Sequence, residues 1–243
     1  MNSQRIAVIS GGSSGIGRAF VERLSREGYR VFFCGRDVAK LRAVEASNPG
    51  TRGVVCDVTD KASVLAFAEV VLSGLTAVDM LISNAGSARD IDFGAIDAAA
   101  TDLSGELRSN LEGAVNVIAA FLPGLRRATR PALVVITSGY ALAPATRAPL
   151  YSAAKAGLRS FTKALRRQLK PAGILVTEVA PPVVDTPSVA HRDVPKISAD
   201  RVVRAALAAV ATGKTEVYLG SVRWLPLLLR LAPALAERIV ART

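Results

Sequence analysis

The 243-residue chain is poor in the residues from which metal sites, disulfide frameworks and nucleic-acid platforms are built. It has one histidine, two cysteines and only 5% aromatic residues. The single His191, in Ala190-His191-Arg192-Asp193, has no Cys or His partner at ligand spacing, so no metal site is expected. Cys34 and Cys56 close the second and third expected strands. With no signal peptide ahead of the first strand, buried free thiols in a reducing cytoplasm are expected rather than a disulfide. Acidic residues are also scarce, 20 against 31 Lys and Arg, which leaves a net charge of +11. Such an excess suits nucleic acid or an anionic membrane. Here, however, the basic residues are scattered along helical stretches, as in Arg126, Arg127, Arg130, Lys163, Arg166, Arg167 and Lys170, with no interleaved aromatics. That pattern reads as solvated helix faces and argues against nucleic acid. A basic surface still attracts phosphorylated cofactors and anionic substrates, including acyl groups on acidic carriers.

Linkers, internal repeats and low-complexity segments are absent too, and half of the residues are hydrophobic, enough to bury one full core. Apolar runs alternate with helical periodicity. Strands are expected near 5–10, 30–34, 51–56, 78–83, 131–137, 173–179 and 215–219, and helices near 15–28, 37–46, 60–73, 104–127, 150–170 and 198–212. This alternation predicts an α/β domain with a seven-stranded parallel sheet wrapped by helices on both faces. One domain covers 1–221, with 222–243 as its apolar helical extension.

Two motifs carry the chemistry. The first expected strand runs directly into Gly11, Gly12, Ser13, Ser14, Gly15, Ile16 and Gly17, and a helix follows. Glycines at 11, 15 and 17 permit a tight turn and let backbone N–H groups approach a diphosphate at the positive end of that helix. The second motif is Ser138-x12-Tyr151-x3-Lys155. On a helix, the i, i+4 step places Tyr151 and Lys155 on one face. A phenol has a pKa of about 10, and a neighbouring ammonium favours its phenolate. Ser138, at the end of Val134-Val135-Ile136-Thr137, is placed to hydrogen-bond a substrate oxygen that Tyr151 protonates or deprotonates.

With these motifs the chain resembles the short-chain dehydrogenase/reductase family from about Arg5 to Tyr218, which implies a Rossmann fold. Ser10 stands where the family's cofactor loop usually has Thr. The resemblance implies that Asp57, followed by Val58, meets the adenine ring and that Asn84-Ala85-Gly86 forms the turn after the fourth strand. Asn110 matches the catalytic helix asparagine, which in the family sits in a kinked helix on a proton path to the lysine. Asn110, Ser138, Tyr151 and Lys155 complete a catalytic tetrad. After the sixth strand, Pro181, Val184 and Thr186 match contacts to the nicotinamide, with Pro182 where glycine is usual. From the residues alone, Asp57 also reads as a charge at a helix N-terminus and Asn84 as a turn former.

Strand two ends Gly35-Arg36-Asp37. Gly35 stands where an NAD-selecting acid is expected, and Arg36 suits the extra phosphate, so NADP(H) is expected over NAD(H). Asp37 either turns inward against that preference or caps the next helix. The expected activity is interconversion of a ketone and a secondary alcohol on an uncharged or acyl-type substrate, since the segments around the site, including Tyr140-Ala141-Leu142-Ala143-Pro144, are mostly apolar. A nicotinamide-dependent epimerase or dehydratase and a catalytically silent dinucleotide sensor are the alternatives. The family usually associates through its long helices, which implies a homodimer or homotetramer.

The C-terminal stretch Trp224 to Leu235 is very apolar but is interrupted by Arg230 and two prolines, too short for a membrane span. Two short helices are expected, near 226–232 and 233–241, with Trp224, Leu228, Leu231, Leu235 and Ile239 facing protein as a substrate-side lid or dimer arm. A helix dipping into a membrane surface is the competing reading.

Overall fold

The computed structural model describes residues 4–74, 77–99 and 101–242. Residues 1–3 and Thr243, at the outer ends of the two expected regions, lie outside the described residues. Seven parallel strands form the central sheet in the order β3-β2-β1-β4-β5-β6-β9. They are β1 (Ile6–Ser10), β2 (Arg30–Gly35), β3 (Thr51–Val55), β4 (Met80–Ser83), β5 (Ala132–Ile136), β6 (Leu175–Ala180) and β9 (Glu216–Tyr218). β1, β4 and β5 are buried along their whole length, as unbroken apolar strands covered on both faces must be.

Helices cover both faces. On one side lie α3 (Lys61–Leu72), α5 (Gly113–Leu125) and α6 (Pro149–Leu169), whose Phe67, Phe121, Leu125, Leu158 and Leu165 fill one core layer. Phe67 and Phe121 meet edge to face with centroids 5.1 Å apart. On the other side lie α1 (Gly15–Arg26), α2 (Val38–Ser47) and α7 (Ala199–Ala211), contributing Phe20, Leu24, Leu41, Val202 and Ala206 to a second layer. Cys34 and Cys56 are both buried and free.

One feature adds to the expected pattern, and another bears out the kinked helix that the resemblance implied at Asn110. A short strand pair, β7 (Val184–Asp185) with β8 (Ile197–Ser198), ties the chain after β6 to the start of α7. The helix expected at 104–127 is interrupted: α4 (Gly105–Leu107) passes through a π turn at Arg108–Glu112 before continuing as α5. The wider π turn displaces the residues after it relative to a straight helix, and Asn110 lies inside it.

The C-terminal segment forms a 3₁₀ turn at Gly220–Trp224, then α8 (Leu225–Leu231) and α9 (Pro233–Ala241), each with proline in its first turn. Its buried residues are Val222, Leu225, Ala236 and Val240, packed with Ala143 and Ala180 as a third core layer. Trp224, Leu231, Leu235 and Ile239 are exposed, contrary to the expected stripe. Between α8 and α9, Ala232 has φ −148° and ψ 66°, so a periodicity counted through both helices does not describe one face. Among the described residues no helix is long and apolar enough to cross a membrane.

Candidate active site

The C-terminal ends of β1, β4, β5 and β6 lie at one edge of the sheet, and the strand order reverses between β1 and β4. Open α/β sheets take ligands in the crevice at such a reversal. The glycine loop is pressed into that crevice. Gly11 (φ +69°) and Gly15 (φ +53°) occupy the left-handed region. A side chain at Gly12 would collide with the Phe33 ring, and one at Gly17 with the Gly11 carbonyl, so α1 starts directly on the loop. Ile16 packs toward the core, and Ser13 lies against Gly35, where a Cβ would stand 2.8 Å from Ser13 Oγ. Ser14 is the N-cap of α1, with no side-chain cap among the described residues and no acidic residue in the first turn. The first N–H groups of α1 therefore face the loop ready for an anion, which the helix dipole favours.

Ser10 ties the loop to its neighbour. Its Oγ accepts from the backbone N–H of Asn84 (3.0 Å) and Ala85 (3.1 Å), while Asn84 Nδ2 donates to the carbonyls of Ser10 (3.1 Å) and Gly11 (3.2 Å). Asn84 thus holds the glycine loop in place as well as forming a turn. At the end of β2, Asp37 caps α2: its Oδ1 accepts from Lys40 N at 3.1 Å and its Oδ2 pairs with Lys40 Nζ at 3.3 Å. The carboxylate that would have competed for an adenosine ribose is engaged by its own helix. Arg36 is exposed beside it. Burial alone would raise the Asp57 carboxyl, but hydrogen bonds from the Thr59 N–H and hydroxyl, with the nearby Arg36 charge, hold it below the usual range. Asp60, not Asp57, caps α3. Val58 packs on Gly113 at the start of α5.

Across the crevice, Thr186 lies over the loop, since a Cβ at Gly15 would stand 3.0 Å from Thr186 Cγ2. The Pro181 carbonyl accepts from Gly139 N at 2.9 Å. Pro182, in the place where glycine is usual for the family, is accommodated by Gly220 (φ +53°), at which a Cβ would meet the proline ring at 3.0 Å. Val184 turns its side chain into the core, which leaves only its backbone for a ligand.

Tyr151, Lys155 and Arg159 follow one another at i, i+4 and i+8 on α6. Arg159 pins this helix to the sheet through Glu178, at 2.5 Å and fully buried, and donates to Tyr218 Oη at 2.9 Å. Ser138 Oγ accepts from Tyr140 N at 3.2 Å and hydrogen-bonds Tyr151. Burial pushes the Tyr151 phenol up to about 12, outweighing the Ser138 bond. This is opposite to the lowering expected from Lys155, whose Nζ stands 5.7 Å from the Tyr151 ring centre and donates to the Ile136 carbonyl at 3.0 Å. Burial likewise pushes Lys155 down to about 8. Asn110 is fully buried, with Nδ2 donating to the carbonyls of Ser87 (2.6 Å) and Glu106 (3.0 Å) and with no partner for Oδ1 among the described residues. A side chain at Gly86 would overlap Asn110 Oδ1 and come within 3.5 Å of Lys155 Nζ. Asn110, Lys155 and Gly86 thus pack together, and Tyr151, hydrogen-bonded to Ser138, lies on the same helix face as Lys155.

Spacing did not reveal Ser10 as the clasp of the loop, nor Glu106, Arg147 and Arg192 near Tyr151, because these come from loops and a short helix with no periodic signal. A separate cleft of about 680 Å³ between Tyr140–Pro149, α6 and α9 is lined by neither Tyr151 nor Lys155.

Comparison with known proteins agrees with this geometry. The family model described as short chain dehydrogenase matches residues 5–195. An uncharacterized oxidoreductase, DltE of Bacillus subtilis, is 36% identical over 179 residues, covering 74% of this chain and 71% of that protein. A putative ketoacyl reductase of the monensin polyketide synthase from Streptomyces virginiae is 32% identical over 194 residues, covering 76% and 73%. The crystal structure of a short chain dehydrogenase from Burkholderia cenocepacia in complex with NADP superimposes with a TM-score of 0.86 at 26% identity, covering 99% of this chain and 98% of that one. With its glycine loop, its Tyr-x3-Lys helix and a seven-stranded parallel sheet in common with such proteins, the chain belongs to the short-chain dehydrogenase family of oxidoreductases.

Proposed function

We propose that this oxidoreductase uses NADP(H) to interconvert a ketone and a secondary alcohol on an apolar or acyl-type substrate, as a homodimer or homotetramer in the cytoplasm. The convergence of Ser138, Tyr151 and Lys155 carries this reading. A phenol held near 12 is protonated at neutral pH, the form that reduction of a carbonyl requires. Tyr151 gives its proton to the carbonyl oxygen. Ser138, whose oxygen already accepts from Tyr140 N, directs its own hydroxyl proton to the same carbonyl oxygen. Lys155 holds a positive charge beside the developing tyrosinate, and the open Asn110 Oδ1 can take a water through which a proton returns. When bound, the nicotinamide supplies the hydride.

The dinucleotide fits the residues present: uncapped α1 N–H groups for its diphosphate, Arg36 with Ser13 for the 2′-phosphate, Asp57 for the adenine, and Thr186 and the Val184 backbone for the carboxamide. The putative ketoacyl reductase among the relatives supports an acyl-type ketone. A silent sensor reading is disfavoured by the presence of both Tyr151 and Lys155 in position.

The test is NADPH oxidation against 3-oxoacyl thioesters, aromatic ketones and steroid ketones, with Tyr151→Phe as control. Loss of a positioned acid lowers kcat by roughly two to four orders of magnitude while NADPH still binds. A variant that retains more than a tenth of wild-type turnover shows that Tyr151 is not the proton donor.

A further inference from the structure

Three loops meet beside Tyr151 and bring more cations than anions. Arg192, after β7, donates from Nη2 to Asp90 Oδ1 at 2.6 Å, and Arg147, just before α6, has its Nε 3.9 Å from the same oxygen. Arg147 also donates from Nη2 to Tyr140 Oη at 3.3 Å, and Tyr140 stands edge-on to Tyr151 with ring centres 6.2 Å apart. One carboxylate thus answers two guanidiniums. The Arg192 side chain is only 8% exposed, and its Nε, like that of Arg147, is buried without a hydrogen-bond acceptor among the described residues. A buried guanidinium with an unused N–H is unfavourable until an acceptor arrives, and its planar fork matches an oxyanion.

The remaining charged groups here do not cancel the surplus. Burial raises the Glu106 carboxyl above its usual range, its Oε2 has no partner among the described residues, and it has its own cation in Arg89, whose N–H donates to it at 2.7 Å and whose charge acts against that rise. The Arg192 charge reaches Tyr151, where it opposes the larger upward effect of burial. Arg192 therefore belongs to the reacting side of the cleft, and Arg147 reaches it through Tyr140, whose ring stands against Tyr151.

We infer that Arg147 and Arg192 form an anion-recognition subsite beside Tyr151, and that the carbonyl substrate carries a carboxylate or similar oxyanion. The inference rests on the ketone-reductase reading and narrows its acyl-type substrates to those with an anionic group. The substrate oxyanion accepts the two unused Nε–H groups and balances the charge that Asp90 leaves over.

The experiment measures NADPH oxidation by the full chain with levulinate, longer oxo-acid homologues and the methyl ester of each. In parallel, calorimetry follows binding of the matching hydroxy-acids to the NADPH-loaded protein, a pairing that cannot react. The expected result is an acid-over-ester preference of about ten-fold or more in kcat/KM for the homologue of matching length. Arg192→Met and Arg147→Met each reduce that preference about ten-fold, mainly through KM, and weaken hydroxy-acid binding. Arg192→Lys restores part of both, which a merely structural arginine would not show. Equal turnover of acids and esters, or an acid-to-ester ratio unmoved in both Met variants, overturns the subsite and leaves the reductase reading standing. If no ketone of either kind, nor of the wider panel, oxidises NADPH, the reductase reading fails and the subsite falls with it.

Discussion

Gly86 and Asn110 are fitted so closely that a single methyl group at Gly86 would occupy the position of the Asn110 amide oxygen. That oxygen is the one polar atom of Asn110 without a partner among the described residues, and Lys155 Nζ stands nearby, 3.5 Å from where the new methyl would lie. Gly86→Ala must therefore push the asparagine aside, next to the lysine. Small misplacements of catalytic groups cost up to about a hundred-fold in rate. We expect kcat to fall at least about ten-fold in Gly86→Ala with a nearly unchanged melting temperature, as read by steady-state kinetics and thermal unfolding. Wild-type kcat in the variant would show that the placement of Asn110 takes no part in turnover.

Cofactor choice is tested at Arg36. Asp37 caps α2, so in the proposed reading the charge left to meet an adenosine phosphate is that of the exposed Arg36. A hydrogen bond to a charged group contributes about 1.5–3 kcal/mol, so Arg36→Ala should reduce the NADPH-to-NADH ratio of kcat/KM by roughly ten- to a hundred-fold. A ratio that does not change moves the phosphate contact to Ser13 or Ser14.

Lys155 couples activity and stability to pH in opposite directions. Its amine is pushed from 10.5 to about 8 in the folded chain. Reduction needs the ammonium and the phenol; the phenol persists to about 12, so reductive kcat/KM should decline as pH rises through about 8. Between about 8 and 10.5 the unfolded chain holds the proton that the folded chain has released, so stability contributed by this group rises over that window. The full difference is on the order of 3 kcal/mol. Lys155→Met should then unfold at a higher temperature than wild type at pH 7 in the absence of cofactor, while losing turnover. A lower melting temperature at pH 7 would show that the Ile136 carbonyl bond outweighs the burial of charge.

The C-terminal arm is tested at Leu225. It packs in the same layer as Ala143 and Ala180, and Val222 beside it covers Gly139, directly after Ser138. Deleting a buried leucine side chain destabilises by about 2–5 kcal/mol. Leu225→Ala should show that loss by denaturant unfolding, together with a reduced kcat as the 139–143 turn loosens. The exposed Leu231→Ala should change monomer stability by less than about 0.5 kcal/mol.

The parallel sheet was legible in the sequence because the central strands β1, β4 and β5 are apolar on both faces and helical stretches separate the strands. The Tyr-Lys helix was legible because both side chains lie on one segment at fixed spacing. The π turn at Arg108–Glu112 left no trace in the periodicity, since one widened turn changes geometry without changing composition, but the kink at Asn110 was expected from the family resemblance. β7 and β8, two residues each, fall below any window in which alternation can be seen. In the C-terminal arm the face expected to meet protein, Trp224, Leu231, Leu235 and Ile239, is exposed in the single chain, because the break at Ala232 resets the helical phase between α8 and α9. Arg147, Arg192 and Asp90 are far apart in sequence and meet only through the folded loops, so their cluster had no local signature.

The contact between Ser13 and Gly35 constrains how this enzyme could change its cofactor over evolutionary time. Introducing an acid at Gly35 is the direct route to an NAD-selecting site, yet its Cβ would stand 2.8 Å from Ser13 Oγ. Ser13 must shrink or rotate first, so Ser13→Gly is the permissive step and Gly35→Asp the productive one. Taken in the reverse order, the new side chain would meet Ser13 Oγ until that hydroxyl rotates away.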